Sequence, residues 1–465
     1  MHIDLWRWSA VDLAAGIRTR RISSREAVTS CLLRLDEVNP AINAVVDVMA
    51  EEALAAADRA DAAVSAGEPL GGLHGVPVTL KINVDYEGRP TTNGVVAFAD
   101  RVAKEDAPPV ANWRKAGAII IGRTNVPAFC ARFFTDNALH GRTLNPWAPG
   151  RTPGGSSGGA AAALACGIGP LAHGNDRAGS IRQPAYACGV TGIRPSLGRV
   201  PGLQQSEREP TLISQLCNMQ GPLARNIADL RLGLEAMARV DPRDPWWCPV
   251  PFDLGECGPT RVALFDDLPG VEIDPAVREA LRKAASCLEG CGYHVEEAVP
   301  PRFTEAARLF FTLVKTEERS GSSRLIDEFG DDALRRARAS TMATAESLSF
   351  EDYIAALARR TTILREWQLF MERYPLILMP VSWKLPAPVD LDQTGDAAVA
   401  EMIASLHPLL AISVLGLPGL AVPTGFADGV PVGVQLVASR FREDVCFAAG
   451  EIIEAQCGPA PIWPG

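Results

Sequence analysis

Two kinds of apolar pattern alternate along the chain. Some stretches carry apolar residues three and four positions apart, as amphipathic helices do; others are short, continuous apolar runs of the kind that form strands buried on both faces. Residues 7–66 follow the first pattern and are predicted helical. Ser9–Leu13 and Ser23–Glu26 read as helix starts, the second as a capping box in which serine and glutamate each satisfy a free backbone amide. Glu51–Ala66 is an alanine-rich amphipathic helix. After the turn Gly71–Pro77 the pattern changes. Val78–Val84, Ala118–Gly122, the run from Arg261, Leu376–Pro380, Pro418–Pro423 and Pro431–Val437 are predicted strands, the last two joined by a Gly425–Gly429 turn. Tyr293–Glu297 alternates like a strand. Helices are predicted at Val110–Ala116, Asn226–Ala238 and Asp274–Glu289, and 303–373 is largely helical and more polar. Short buried strands separated by helices specify an α/β fold with both faces of the sheet covered.

Several segments have no period. Residues 124–150 form a long connection holding Phe129, Phe133, Phe134, Asn137, His140 and Trp147; loops of this length inside a domain are functional or disordered, and the aromatic content argues against disorder. Residues 241–258, rich in proline and tryptophan, read as an excursion over the surface. Two glycine-serine stretches, Gly154–Gly159 and Asp176–Arg182, flank the apolar Ala160–Ala165. Nothing repeats at a fixed period.

Composition narrows the function classes. The 465 residues are 47% hydrophobic, enough for a large core. A net charge of -10 disfavours a general nucleic-acid role, which needs a basic footprint. No run of 18 apolar residues suggests a membrane span, and the first residues lack the basic-then-apolar layout of a secretory signal. Eleven scattered cysteines without a Cys-x-x-Cys pair fit a reducing, cytoplasmic setting. No His, Cys or carboxylate cluster has metal-ligand spacing, so no metal is expected.

A serine on a glycine-containing turn can be presented with backbone amides aimed at one point, the arrangement acyl transfer requires. Ser156 and Ser180 both qualify. Lys81 is the odd residue in an apolar strand. Burial disfavours its charged form, and a neutral lysine is a competent general base; alternatively it snorkels to the sheet edge or pairs with Asp85. The Gly154–Gly159 stretch could equally be a tight turn opening a helix. It lacks the pattern of a nucleotide-binding P-loop. His173 is near Ser180 in sequence, but triads are recognised by geometry, not proximity along the chain.

The ordered blocks Gly75-Val-Pro-Val-Thr-Leu-Lys81, Pro153-Gly-Gly-Ser-Ser-Gly-Gly159 and Asp176-Arg-Ala-Gly-Ser-Ile-Arg-Gln-Pro-Ala185 resemble the amidase signature family. Thr135–Asn137, Asn145–Trp147, Gly192–Pro195, Gly221-Pro222 and Pro431–Gln435 extend the resemblance over most of the chain, most weakly over 240–375. It implies one large domain over 1–465 with a central mixed sheet, a catalytic core at 65–240 and a helical cap at 300–375. It implies Lys81 as base, Ser156 as a relay serine on a cis peptide, and Ser180 as nucleophile; the two serines keep the family's separation of 24 positions. The amides of Arg177, Ala178, Gly179 and Ser180 fall at the family's oxyanion hole, with Asp176 and Arg182 holding the loop. Phe133, Phe134, Asn137 and Gly155 are the candidate substrate contacts. One departure stands out: Arg177-Ala178 replaces the usual Thr-Gly, which bears on the acyl groups accepted.

The resemblance implies a cofactor-independent hydrolase of small aryl or alkyl amides, with carbamates (urethanes) and esters as related substrates. Indoleacetamide-type and nylon-oligomer-type hydrolases are close variants. It would act as a monomer or homodimer on a small molecule, without nucleic acid or membrane. Two competing readings are the glutamine-hydrolysing component of a tRNA-dependent amidotransferase, which needs a partner and an ammonia channel, and a non-catalytic binding protein.

Overall fold

Strands drawn from the whole length of the chain join into one eleven-stranded sheet. The computed structural model describes residues 4–203, 210–255, 258–344, 347–458 and 461–465. The strands are β1 (Val45–Val48), β2 (Pro77–Lys81), β3 (Ile119–Thr124), β4 (Leu171–Asp176), β5 (Thr191–Arg194), β6 (Met219–Ala224), β7 (Arg261–Leu264), β8 (His294–Glu297), β9 (Leu376–Pro380), β10 (Gly419–Ala427) and β11 (Val430–Ala438). Their order is β1-β3-β2-β4-β6-β5-β10-β11-β9-β7-β8. The sheet is mixed. The pairs β3–β2, β2–β4, β9–β7 and β7–β8 are parallel, and the others are antiparallel.

Both faces are covered, which explains the continuous apolar runs. In β3, Ile119 and Ile121 join a core cluster with helices Ser24–Ile42 and Gly158–Ala165, while Ile120 joins the opposite cluster. The helix starts read from sequence are present. Ser23 and Glu26 form the reciprocal capping box, Asn226 caps Ile227–Met237, and Asp274 caps Pro275–Glu289, with proline in the first turn where no amide is needed.

Several expectations are corrected. Residues 7–66 are not helical throughout: β1 interrupts them and pairs at the sheet edge with β3. The strand expected at Val78–Val84 stops at Lys81, and the chain turns at Ile82-Asn83. Three central strands, β4, β5 and β6, have no strand signature in sequence. β4 reads Leu-Ala-His-Gly-Asn-Asp and β6 contains Gly221-Pro222. Their residues are poor strand formers, yet every one is buried between paired neighbours, so tertiary packing overrides propensity.

The polar helical region comprises helices Phe303–Glu317, Arg324–Phe329, Asp332–Ala343 and Phe350–Arg373, with a π-helical turn at Glu318–Ser322. Residues 345–346 of this region, 256–257 of the proline-rich excursion and the first three residues lie outside the described residues. Among the described residues no single helix is long and apolar enough to cross a membrane. The bent pair Asp396–Ser405 and His407–Leu415 comes nearest, and its second helix is almost wholly buried in the core.

Leu378 sits at 0% exposure in β9, between β11 and β7. Leu378→Ala should lower the unfolding free energy by about 2–5 kcal/mol, measured by urea denaturation; a loss below about 1 kcal/mol would show that this part of the sheet is not tightly packed.

Candidate active site

Lys81 is the last residue of β2 and is completely buried. It neither snorkels nor pairs with Asp85, whose carboxylate instead accepts from Thr91 Oγ1 at 2.6 Å. The Lys81 Nζ lies 2.7 Å from Ser156 Oγ and 2.7 Å from Asn175 Oδ1. Asn175 is on β4, the parallel neighbour of β2. Its other amide atom, Nδ2, donates to Asn83 Oδ1 at 3.1 Å, which holds Oδ1 toward the lysine. Burial lowers the Lys81 pKa from its usual value; Cys130 and Asp176 oppose that shift. The amine is thus displaced toward the neutral form in which it can accept a proton.

Ser156 follows a cis Gly155–Ser156 peptide. The Gly154–Gly159 stretch is both a turn and the opening of a helix, Gly158–Ala165. Side chains fix it: Gly154 N donates to Thr152 Oγ1 at 3.0 Å, Gly155 N to Gln183 Oε1 at 2.9 Å and Gly158 N to Thr135 Oγ1 at 3.1 Å. A Cβ on Gly155 would sit 2.6 Å from the Arg132 carbonyl oxygen, so no larger residue fits without movement. Ser157 N donates to Ser180 O at 3.2 Å, tying this turn to the second one.

The second turn hangs from Asp176 at the end of β4. Its carboxylate accepts from Gly179 N at 2.7 Å, Ile181 N at 3.2 Å and both Nε and Nη2 of Arg182 at 3.0 Å. Arg182 also reaches Gln435 Oε1 at 2.6 Å and Ser413 Oγ at 2.9 Å, and Arg194 donates to the Asp176 carbonyl at 2.6 Å. Burial alone would raise the Asp176 pKa, but Arg182 and Arg194 hold it down at about 2. Gly179 has φ +109 and packs on Leu409, where a Cβ would meet Cδ1 at 2.5 Å; only glycine adopts this backbone without strain. The Gly179 N–H is spent on Asp176; of the four amides expected to receive an oxyanion, those of Arg177, Ala178 and Ser180 are the remaining candidates.

Ser180, Ala178, Arg177 and Phe133 line an open cavity of about 860 Å³ that includes its solvent-facing mouth. The other expected contacts are placed elsewhere. Phe134 is 4% exposed, under the Arg132 guanidinium. Asn137 is committed on both sides of its amide: Nδ2 donates to Asn125 Oδ1 and Val126 O, and Oδ1 accepts from Leu139 N and His140 N. It braces the loop, as Gly155 braces its turn. His173 is buried with Nε2 3.0 Å from Gln220 Oε1, and burial pushes its pKa down to about 3; it is no partner for Ser180. Sequence reasoning missed Asn175, although it adjoins Asp176 in a recognised block. It also missed Arg132, paired with Asp392 at 2.7 Å across 260 positions, for which no local signal exists. Among the described residues no cluster could hold a metal ion.

This fold and site define a class, the hydrolases that cleave amide C–N bonds. The family described as Amidase matches residues 26–447. Over 98% of its length the chain is 45% identical to the indoleacetamide hydrolase of Bradyrhizobium diazoefficiens, covering 87% of that protein. It is 33% identical to a glutamyl-tRNA(Gln) amidotransferase polypeptide of Moorella thermoacetica, covering 97% of each. Among solved structures it is similar to a 6-aminohexanoate cyclic dimer hydrolase complexed with substrate, with a TM-score of 0.84, 26% identity and 98% of both chains covered. The chain belongs to the amidase signature family, and it is an amidohydrolase acting on non-peptide C–N bonds.

The Lys81–Asn175 contact generates a pH test. Asn175→Asp places a carboxylate against the amine and raises its pKa. If activity needs neutral Lys81, the limb of the pH–rate profile that rises with pH should move up by roughly 1–3 units. An unmoved limb, with activity retained, would show that Lys81 ionisation does not control the rate.

Proposed function

We propose that Ser180 is the acyl nucleophile, Ser156 its proton relay and Lys81 the base, in an enzyme that hydrolyses small aryl amides. The observation that carries this reading is the buried 2.7 Å contact between Lys81 and Ser156 on a turn bonded to that of Ser180, at the wall of the cavity. Neutral Lys81 takes a proton from Ser156 as Ser156 takes one from Ser180. The Ser180 Oγ attacks the carbonyl carbon, and the oxyanion is received by the amides of Arg177, Ala178 and Ser180. The proton returns through Ser156 to the departing amine, and water then releases the acyl group by the same relay in reverse.

The substrate reading is an arylacetamide of the indoleacetamide kind. It is supported by the 45% identical relative and by apolar cavity walls that include Phe133, Phe311, Val314, Met402 and Ile403. Carbamates and esters present the same carbonyl and are secondary substrates. The enzyme acts on small molecules as a monomer or homodimer; a cytoplasmic setting agrees with ten described cysteines that are all free. A second reading, glutamine hydrolysis in an amidotransferase, is favoured by the likeness to the Moorella amidotransferase polypeptide over 97% of the chain.

One panel separates them. Purified alone, the protein should hydrolyse indole-3-acetamide and phenylacetamide and release little ammonia from glutamine. Ser180→Ala should reduce turnover by about 10⁴-fold or more, and Lys81→Ala by at least about 100-fold with the fold retained. Full activity in Ser180→Ala would refute the nucleophile assignment. Activity on glutamine alone would favour the second reading.

A further inference from the structure

One group in the cavity is left over by this mechanism. Lys315, on the helix Phe303–Glu317, is 1% exposed and lines the same cavity as Ser180. Lysine is almost never fully buried unless a counter-charge or several hydrogen-bond acceptors receive it. The other charged groups of the wall are matched. Arg132 faces Asp392 at 2.7 and 2.8 Å. Arg177 and Arg338 meet Glu318 at 3.8 and 3.7 Å, and Arg338 has a second partner in Asp327 at 2.5 Å. Lys315 is different. Its Nζ reaches Thr344 Oγ1 at 3.5 Å and sits 5.6 Å from the centre of the Phe311 ring. Among the described residues no carboxylate comes within ion-pair distance of it. Once these pairs are drawn, Lys315 is the wall's one positive charge without a carboxylate partner among the described residues, and Phe311 and Val314 lie beside it on the same wall.

We propose that Lys315 is a specificity residue: it receives an oxygen acceptor, best a carboxylate, carried by the acyl group at the end remote from the scissile amide. The substrate class is therefore an aryl amide with an anionic or strongly accepting substituent. An apolar body lies along the wall and an oxygen meets the buried ammonium, giving that ammonium a partner that the described residues do not supply. Burial lowers the Lys315 pKa to about 8, with Glu318 opposing the shift and Arg319 and Arg338 adding to it, so the group is still largely protonated at neutral pH. A charge-assisted hydrogen bond to a buried group discriminates more strongly than one at a surface. The inference extends the reading of Ser180 as the nucleophile beside this cavity, and is tested without depending on turnover.

Ser180→Ala protein is titrated calorimetrically with 3- and 4-carboxyphenylacetamide and with their 3- and 4-methyl counterparts, which keep the substituted ring and lack the oxygens. At least one carboxy compound should bind about 10- to 100-fold more tightly than its methyl counterpart. Adding Lys315→Met should remove that preference, and Lys315→Arg should keep part of it. Equal or weaker binding of both carboxy compounds would overturn the proposal, as would a preference that survives Lys315→Met. If Lys315→Met fails to fold, judged by its thermal transition, the Ser180→Ala comparison alone decides. Failure here with Ser180-dependent hydrolysis intact would leave the catalytic reading standing.

Discussion

An amine taken out of water at the end of a strand must be satisfied by what surrounds it, and much of this protein's central architecture serves that requirement. Lys81 lies where β2 stops, with β4 delivering Asn175 from one side and the Gly154–Gly159 turn delivering Ser156 from another. Removing an ammonium from water is costly, so the group shifts toward neutrality instead. The same burial that disfavours its charge suits it to the role of base proposed for it. Asn83 fixes the orientation of Asn175, so the lysine's environment is set by neutral groups in direct contact and not by a salt bridge that would keep it charged.

The turn that carries Ser180, the proposed nucleophile, is held by the opposite strategy. Asp176 is fully buried but ionised, because two arginines and three backbone amides converge on it. Arg182 carries that restraint to Gln435 on β11 and to Ser413, so elements from distant parts of the chain fix the position of Ser180. The neutral partner of Lys81 and the charged anchor of the Ser180 turn thus sit on successive residues of one strand, β4, as Asn175 and Asp176. The replacement of Thr-Gly by Arg177-Ala178 also finds a place. Ala178 packs on the core beside the cavity, while Arg177 points outward to Glu318 of the helical region. These side chains link the Ser180 turn to the helices that line the same cavity.

Local patterns carry much of this in the sequence. The capping box at Ser23–Glu26, the Asn226 and Asp274 caps and the apolar strands β3, β9 and β11 depend on near neighbours and are readable. Lys81, Ser156 and Ser180 are readable because glycine turns and a lysine in an apolar run are local anomalies. The strands β4 to β6 are not, since Asn175, Asp176, Gly221 and Pro222 serve the site and the packing at the expense of strand propensity. The roles of Phe134 and Asn137 are misread for a related reason: a loop's aromatic and amide groups look alike in sequence whether they face a ligand or brace the loop. Arg132–Asp392 and the burial of Lys315 at the cavity wall arise from contacts across the fold, and no window of sequence contains them.

Catalysis through this machinery requires an acyl-enzyme at Ser180. Rapid quenching of the wild-type protein with a slowly turned-over aryl ester, followed by mass spectrometry of the intact chain and of its peptides, tests this directly. The expected result is a single acyl group on the peptide containing Ser180, formed faster as pH rises through the Lys81 ionisation. An adduct confined to another residue, such as Ser156 or Cys130, or turnover with no adduct formed under any quench, would contradict it.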